Sequence, residues 1–181
     1  MTNFSNKVKK QINVNGKIAK LLVVRNTEFP GYYITKCGKV YSVKTRLNSF
    51  AFNYNKPKKL SFFFNNKSGY TQVALGVANV KLTKENGWEN ISPKSIRLFV
   101  HVGVMNTWRP LEKYTDRLPF TSSKFKKLDN GVKSFIRNNA TINHIDHNKG
   151  NNHVDNLEWC TAAQNSMAAH EFYKKHGKKK I

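Results

Sequence analysis

Residues 143–165 gather the side chains best suited to chemistry. Asn143 and His144 are neighbours, Asp146 follows at once, and Asn156 and Asn165 lie downstream. Hydrolysis of a phosphodiester bond needs a base to take a proton from water. It also needs a cation to neutralise charge on the phosphate and the leaving oxygen, and a substrate held in line. Histidine suits the first task because its ordinary pKa lies near neutrality. Amide oxygens of Asn suit a hard cation such as magnesium, which keeps waters and takes further oxygens from a phosphate.

The surrounding residues form elements that can bring these groups together. Ala140–Asn143 reads as a short strand ending at His144. A polar loop follows from Asp146 to Asp155, and Leu157–Cys160 reads as a second strand. Thr161 and Gln164 have capping-box spacing, so a helix should start there and run to about His176, where Gly177 closes it. Strand, loop, strand, helix is the result. Folding the hairpin onto the helix converges Asn143, His144 and Asn165. Trp159 is expected in the core between them, and His170 is expected to point off that face.

Upstream, the chain reads as β-rich. Residues 1–17 suggest a loose arm or short edge element, Lys17–Arg25 a strand, and Pro30-Gly31 a turn. Tyr32–Ile34 and Lys39–Val43 resemble a hairpin. Leu60–Phe64 and Tyr70–Leu75 follow as strands about the 65–69 turn, and Val77–Leu82 is placed to pair back. Ser95–Phe99 should be a strand leading into a helix over Val100–Trp108, ended by Pro110. Residues 110–139 read as a long basic connection. The expected fold class is α+β, with a basic β-rich module over 1–94. A catalytic core over 95–181 follows, its strand-loop-strand-helix unit near 140–176 and a Lys-rich tail at its end.

Charge points to the partner. There are 32 Lys plus Arg against 10 Asp plus Glu, a formal net charge of +22, and the pI is about 10.1. Such a field draws polyanions, and nucleic acid is the default. No basic amphipathic helix with a broad apolar face argues for a membrane surface, and no apolar run is long enough to span one. Cys37 and Cys160 stand far apart without C-x-x-C spacing, which excludes a Cys-rich zinc framework and fits a reducing, cytoplasmic compartment. The set His144, His147, His153 and Cys160 does not have common zinc spacing. The N-terminus opens no signal-type apolar run.

The segments INHID (142–146), NKGNN (148–152), NLEW (156–159), Thr161 and Asn165 closely resemble the HNH nuclease motif. The phage homing-endonuclease form, V-N/D-H-x-D-G-N-K-x-N-N … N-L-x-W-x-T … N, is the most similar type. VHVGVMNTWRP (100–110) resembles the V-H-R-L-V-A-x-x-F helix that precedes this motif. Short pieces at EFPGY (28–32) and GKVYS (38–42) resemble its small N-terminal module.

The resemblance implies a ββα-metal fold and cleavage of double-stranded DNA with Mg2+ or Mn2+. It makes His144 the general base, places Asn143 and Asn165 at the metal-ligand positions, and has Asn156 brace the loop that presents the histidine. Asp146 is expected to organise the loop or assist at the metal. Three departures matter. Asn143 stands where many members have Asp, which removes negative charge from the site. His147 replaces the usual Gly of the D-G-N turn, where positive φ is harder for a side chain to adopt. The connection from Trp108 to Ile142 is longer than is usual.

Phosphate contacts are expected from Lys149, from Lys174, Lys175, Lys178, Lys179 and Lys180 of the tail, and from Lys56, Lys58 and Lys59, giving affinity rather than sequence choice. No dimer surface is evident, so a monomer that nicks one strand is expected. The competing readings are a catalytically inactive basic DNA- or RNA-binding protein of HNH ancestry, and an RNA-binding accessory protein, for which no RNP-type aromatic motif exists.

Overall fold

The computed structural model describes residues 7–46, 51–77, 80–84, 88 and 94–177. Lys178, Lys179 and Lys180 lie outside the described residues.

The chain opens with an antiparallel meander of β1 (Gln11–Val14), β2 (Lys17–Val24), β3 (Thr27–Thr35), β4 (Val40–Ser42) and β5 (Lys58–Lys59), paired in that order. Two-residue turns close the first two hairpins. Asn15 and Gly16, then Arg25 and Asn26, all take positive φ, the geometry that matches strand twist. Pro30-Gly31 is not the expected turn, because β3 runs through it. The register against β2 jumps from Leu21↔Tyr33 to Val23↔Glu28, so these residues form a bulge. A bulge tolerates proline, which has no N–H for the ladder. It also tolerates the positive φ at Gly31, whose backbone lies so close to Phe52 and Lys44 that a Cβ has no room.

A second antiparallel sheet contains β6 (Phe63–Phe64), β7 (Thr71–Gly76) and β8 (Ser95–Phe99), in that order. The described residues of 77–82 are not strand, and β8 takes the place beside β7 that this segment was expected to fill. The expected division near residue 94 thus falls between two hydrogen-bonded strands. α1 (Val100–Trp108) follows and covers β2, β3 and β7. Gly103 lets it approach, since a Cβ there meets Leu22, Ile34 and Leu98 at 3.1–3.3 Å. Thr107 Oγ1 accepts from Val23 N at 3.0 Å, and Trp108 Nε1 donates to Ile34 O at 3.1 Å.

The basic connection over 110–139 is not a bare loop. It holds α2 (Ser122–Lys127), capped by Thr121, and α3 (Asn130–Asn139), capped by Asp129. Fully buried Phe125 anchors α2 in the main core. The C-terminal unit follows as β9 (Thr141–His144), a 3-10 turn over Val154–Asn156, β10 (Leu157–Cys160) and α4 (Ala162–His176). Thr161 and Gln164 form the expected reciprocal capping box, and Gly177 ends the helix with φ 75°. One apolar cluster takes residues from β2, β3, β7, α1, α2 and β10, Trp159 included. A smaller one fills the other face of the first sheet.

Candidate active site

The β9–β10 register sets the two faces of the hairpin. His144 lies opposite Leu157, and Asn143 opposite Glu158. Side chains alternate along a strand, so His144 and Asn143 point to opposite faces. His144 turns toward the upstream half of the molecule. Its ring centroid lies 5.8 Å from that of Tyr70, in the hairpin end before β7, and 5.2 Å from that of His101, in the first turn of α1.

His144 is 4% exposed, and one hydrogen bond decides its tautomer. Its Nε2 lies 3.2 Å from Asn152 Oδ1. Asn152 Nδ2 donates to Gly150 O at 3.2 Å, which fixes the amide with its oxygen toward the imidazole. An amide oxygen only accepts, so Nε2 carries the proton and Nδ1 holds the free lone pair. Among the described residues nothing hydrogen-bonds to Nδ1. Among the described residues only His101 Nδ1 is sealed from solvent without a partner. Burial lowers the His144 pKa, Asn152 and Asp146 oppose the shift, and Lys149 adds to it. The net effect keeps the ring neutral at neutral pH, the form a base requires.

The 146–156 loop is held by its own amides. Asp146 accepts from Asn148 N, from Asn151 Nδ2 and from Asn156 Nδ2, each at 2.8 Å. Asn156 also donates to Asn151 O at 2.9 Å and accepts from Asp146 N at 3.1 Å. Burial opposes the Asp146 charge, but these donors outweigh it and hold the carboxyl below its usual range. Asp146 and Asn156 therefore brace the loop behind the histidine. His147 adopts φ 57°, the conformation that the missing glycine would favour, and stacks on Phe172 of α4 at 4.2 Å.

The amide donor set fits a hard cation. Asn143 Nδ2 donates to Glu158 Oε1 at 2.9 Å, which leaves the amide oxygen as its free end. Asn165, in the first turn of α4, has no side-chain hydrogen bond. Both are neutral oxygen donors, but the register turns Asn143 to the face opposite His144, so the expected convergence of Asn143 with His144 on one spot is not met. Glu158 also pairs with Arg117 at 3.2 Å, so its carboxylate orients the Asn143 amide while its charge is matched by the guanidinium. Among the described residues no three His, Cys, Asp or Glu side chains gather as a metal site, so the zinc set of His144, His147, His153 and Cys160 is not assembled.

Asn165 lines a cavity of about 390 Å³ together with Tyr70, His101, Ile142, Arg25 and Arg137. His144 packs against two rings of that wall without lining it. Burial raises the Tyr70 hydroxyl pKa, and the Tyr173 hydroxyl on α4 raises it further. Burial and the neighbouring His144 hold the His101 pKa down to about 3. Lys149 Nζ lies 4.6 Å above the Tyr70 ring and donates to Ser68 O at 2.8 Å, so its cation closes the rim. Lys174 and Lys175 are exposed on the last turn of α4, and Lys56, Lys58 and Lys59 are exposed on and before β5, well apart in sequence from the hollow.

Sequence reasoning gave no role to Asn152, Glu158, Tyr70 or His101. The hairpin register carried a signal for Glu158 opposite Asn143. The contacts of Tyr70 and His101 depend on the tertiary fold and had none.

A family model described as HNH endonuclease matches residues 136–167. A solved structure of DNA binding and cleavage by the HNH homing endonuclease I-HmuI aligns at 17% identity and a TM-score of 0.41. It covers 83% of this chain and 55% of that one, so the chain spans little more than half the neighbour's length. No curated protein gives a significant match.

Proposed function

We propose that this chain, whose residues 136–167 match a family model described as HNH endonuclease, is a metal-dependent nuclease that hydrolyses phosphodiester bonds of double-stranded DNA, a homing or freestanding nicking enzyme of phage type. The observation that carries this reading is the contact of His144 Nε2 with Asn152 Oδ1 at 3.2 Å, which places the proton on Nε2 and leaves the Nδ1 lone pair for water.

His144 Nδ1 takes a proton from water as the water oxygen bonds to phosphorus. The bond to the leaving oxygen breaks, and that oxygen is protonated from solvent. Asn156 and Asp146 keep the loop in place so that the imidazole stays aimed. The amide oxygens of Asn143 and Asn165 would hold Mg2+ or Mn2+, which when bound neutralises charge on the phosphate and the leaving oxygen. Lys149 at the rim and Lys56, Lys58, Lys59, Lys174, Lys175 and Lys178–Lys180 supply phosphate contacts. Residues 95–181 form the nuclease core on this reading, and the sheets before them grip the duplex. The protein acts as a cytoplasmic monomer.

Supercoiled plasmid incubated with and without a chelator, beside the His144→Ala variant, tests it. Wild type is expected to convert supercoiled to open-circular plasmid with Mg2+ or Mn2+. The chelator should stop it, and His144→Ala should lose cleavage while keeping DNA affinity. An uncut plasmid across pH and salt, with steep salt-dependent binding, would instead establish a basic nucleic-acid-binding protein of HNH ancestry.

A further inference from the structure

Phe62, Phe63 and Phe64 are 39%, 50% and 65% exposed. Phe63 and Phe64 make up β6, the outer strand of its sheet, and Phe62 precedes it, so bare aromatic area and an open edge occur together, a hazard proteins normally suppress. Their surroundings are cationic. No Asp or Glu stands between Glu28 and Glu85, while Lys56, Lys58, Lys59 and Lys67 flank the run. The Arg97 guanidinium from β8 lies 6.0 Å over the Phe63 ring. A second copy meeting this edge would bring lysines against lysines, whereas a polyanion complements them.

The edge is also coupled to the site. Phe64 pairs with Thr71, the residue after Tyr70, whose ring packs on His144. The intervening turn is closed by Asn65, which accepts from Lys67 N and Ser68 N, and Lys149 fastens it to the catalytic loop through Ser68 O. Strands rise about 3.3 Å per residue, so the aromatics lie within a few base-pair steps of His144. His144 is itself 4% exposed, and a straight duplex presents its phosphates on a convex surface that reaches such a recessed group poorly.

From this juxtaposition we infer that the Phe64 ring, the most exposed of the three and flanked in sequence by Phe62 and Phe63, is a wedge that enters the base stack of duplex DNA beside the cut site, unstacking a step and bending the strand into the hollow. Apolar side chains that part base pairs kink a duplex in this way, and the lost stacking is offset by stacking on aromatic rings. The inference rests on the DNA-nuclease reading for its substrate and not on catalysis, so the two can be tested apart.

Closed plasmid is relaxed by a metal-independent type I topoisomerase in chelator with saturating protein, then stripped of protein and resolved on a gel. Wild type is expected to shift the topoisomers by several bands, the mark of unwinding. The triple variant Phe62→Ser, Phe63→Ser, Phe64→Ser should stay at the protein-free position, while binding duplex with unchanged salt dependence and unfolding at the wild-type temperature. Phe64→Trp should keep the shift. An equal shift by the triple variant, or saturation by wild type without any shift, overturns the wedge. So does sedimentation showing a wild-type dimer that the triple variant dissociates. Unwinding without cleavage in Mg2+ sinks the nuclease reading alone, and cleavage without unwinding sinks the wedge alone.

Discussion

Asn152 controls which nitrogen of His144 is basic, because its own amide is locked by Gly150. Removing the acceptor frees the ring to exchange tautomers and to rotate. Groups that orient a functional histidine typically cost about 10–100-fold when lost, and Asn152→Leu should fall in that range. Asn152→Asp keeps an acceptor for Nε2–H and should retain much more activity. The ring nitrogen shifts in an NMR spectrum should show the fixed tautomer in wild type and a mixture in Asn152→Leu. Equal activity of the Leu and Asp variants would reject the role. His101 has a consequence for stability. Its pKa is about 3 in the fold, against 6.5 for the exposed group. The unfolded chain therefore binds the proton first, and stability present above about pH 6.5 is lost as pH falls toward 3. The upper limit from this one group is roughly 4 to 5 kcal/mol. His101→Phe keeps a ring among Tyr70, Phe99 and His144 and should flatten that acid limb in denaturant titrations. An unchanged limb would assign the acid sensitivity elsewhere.

At the level of elements, the C-terminal hairpin and α4 were legible because local signals agreed. The β9 and β10 segments alternate, Thr161 and Gln164 match the capping box, and Gly177 stops the helix. That cap satisfies backbone donors directly beside Asn165. Thr161→Ala should lower stability by about 1 kcal/mol, read as a fall in thermal midpoint. A midpoint matching wild type would show that tertiary contacts alone hold the first turn. Pro30-Gly31 misled because that dipeptide usually marks a turn, and only pairing against β2 shows the bulge. α2 and α3 were missed because each is short and basic. Their caps, Thr121 and Asp129, are ordinary loop residues until a helix is known to follow. The bracing of the 146–156 loop by Asp146 and Asn156 was legible through motif spacing. The site's walls were not, because Tyr70 and His101 reach His144 only through long-range packing.

For the whole molecule, the charge of +22 sets how binding responds to salt. The logarithm of duplex affinity should fall linearly with the logarithm of salt, with a slope near −0.9 for each phosphate neutralised. The exposed lysines at 56, 58 and 59 should contribute evenly across sequences, so their removal lowers the slope without changing site choice. One site acting as a monomer should give open-circular plasmid well before linear product. Linear product appearing first at the lowest enzyme concentration would mean that two sites act together.

The fastening of Lys149 to Ser68, with the Tyr70 and His101 rings against His144, bears on modularity. The stretch that the family model recognises does not contain its own enclosure. Transplanted into another scaffold, it would carry a histidine bathed in water on one flank, with a near-ordinary proton affinity and no roof. Grafts of this unit should therefore borrow the 65–70 turn and the opening turn of α1 along with the motif.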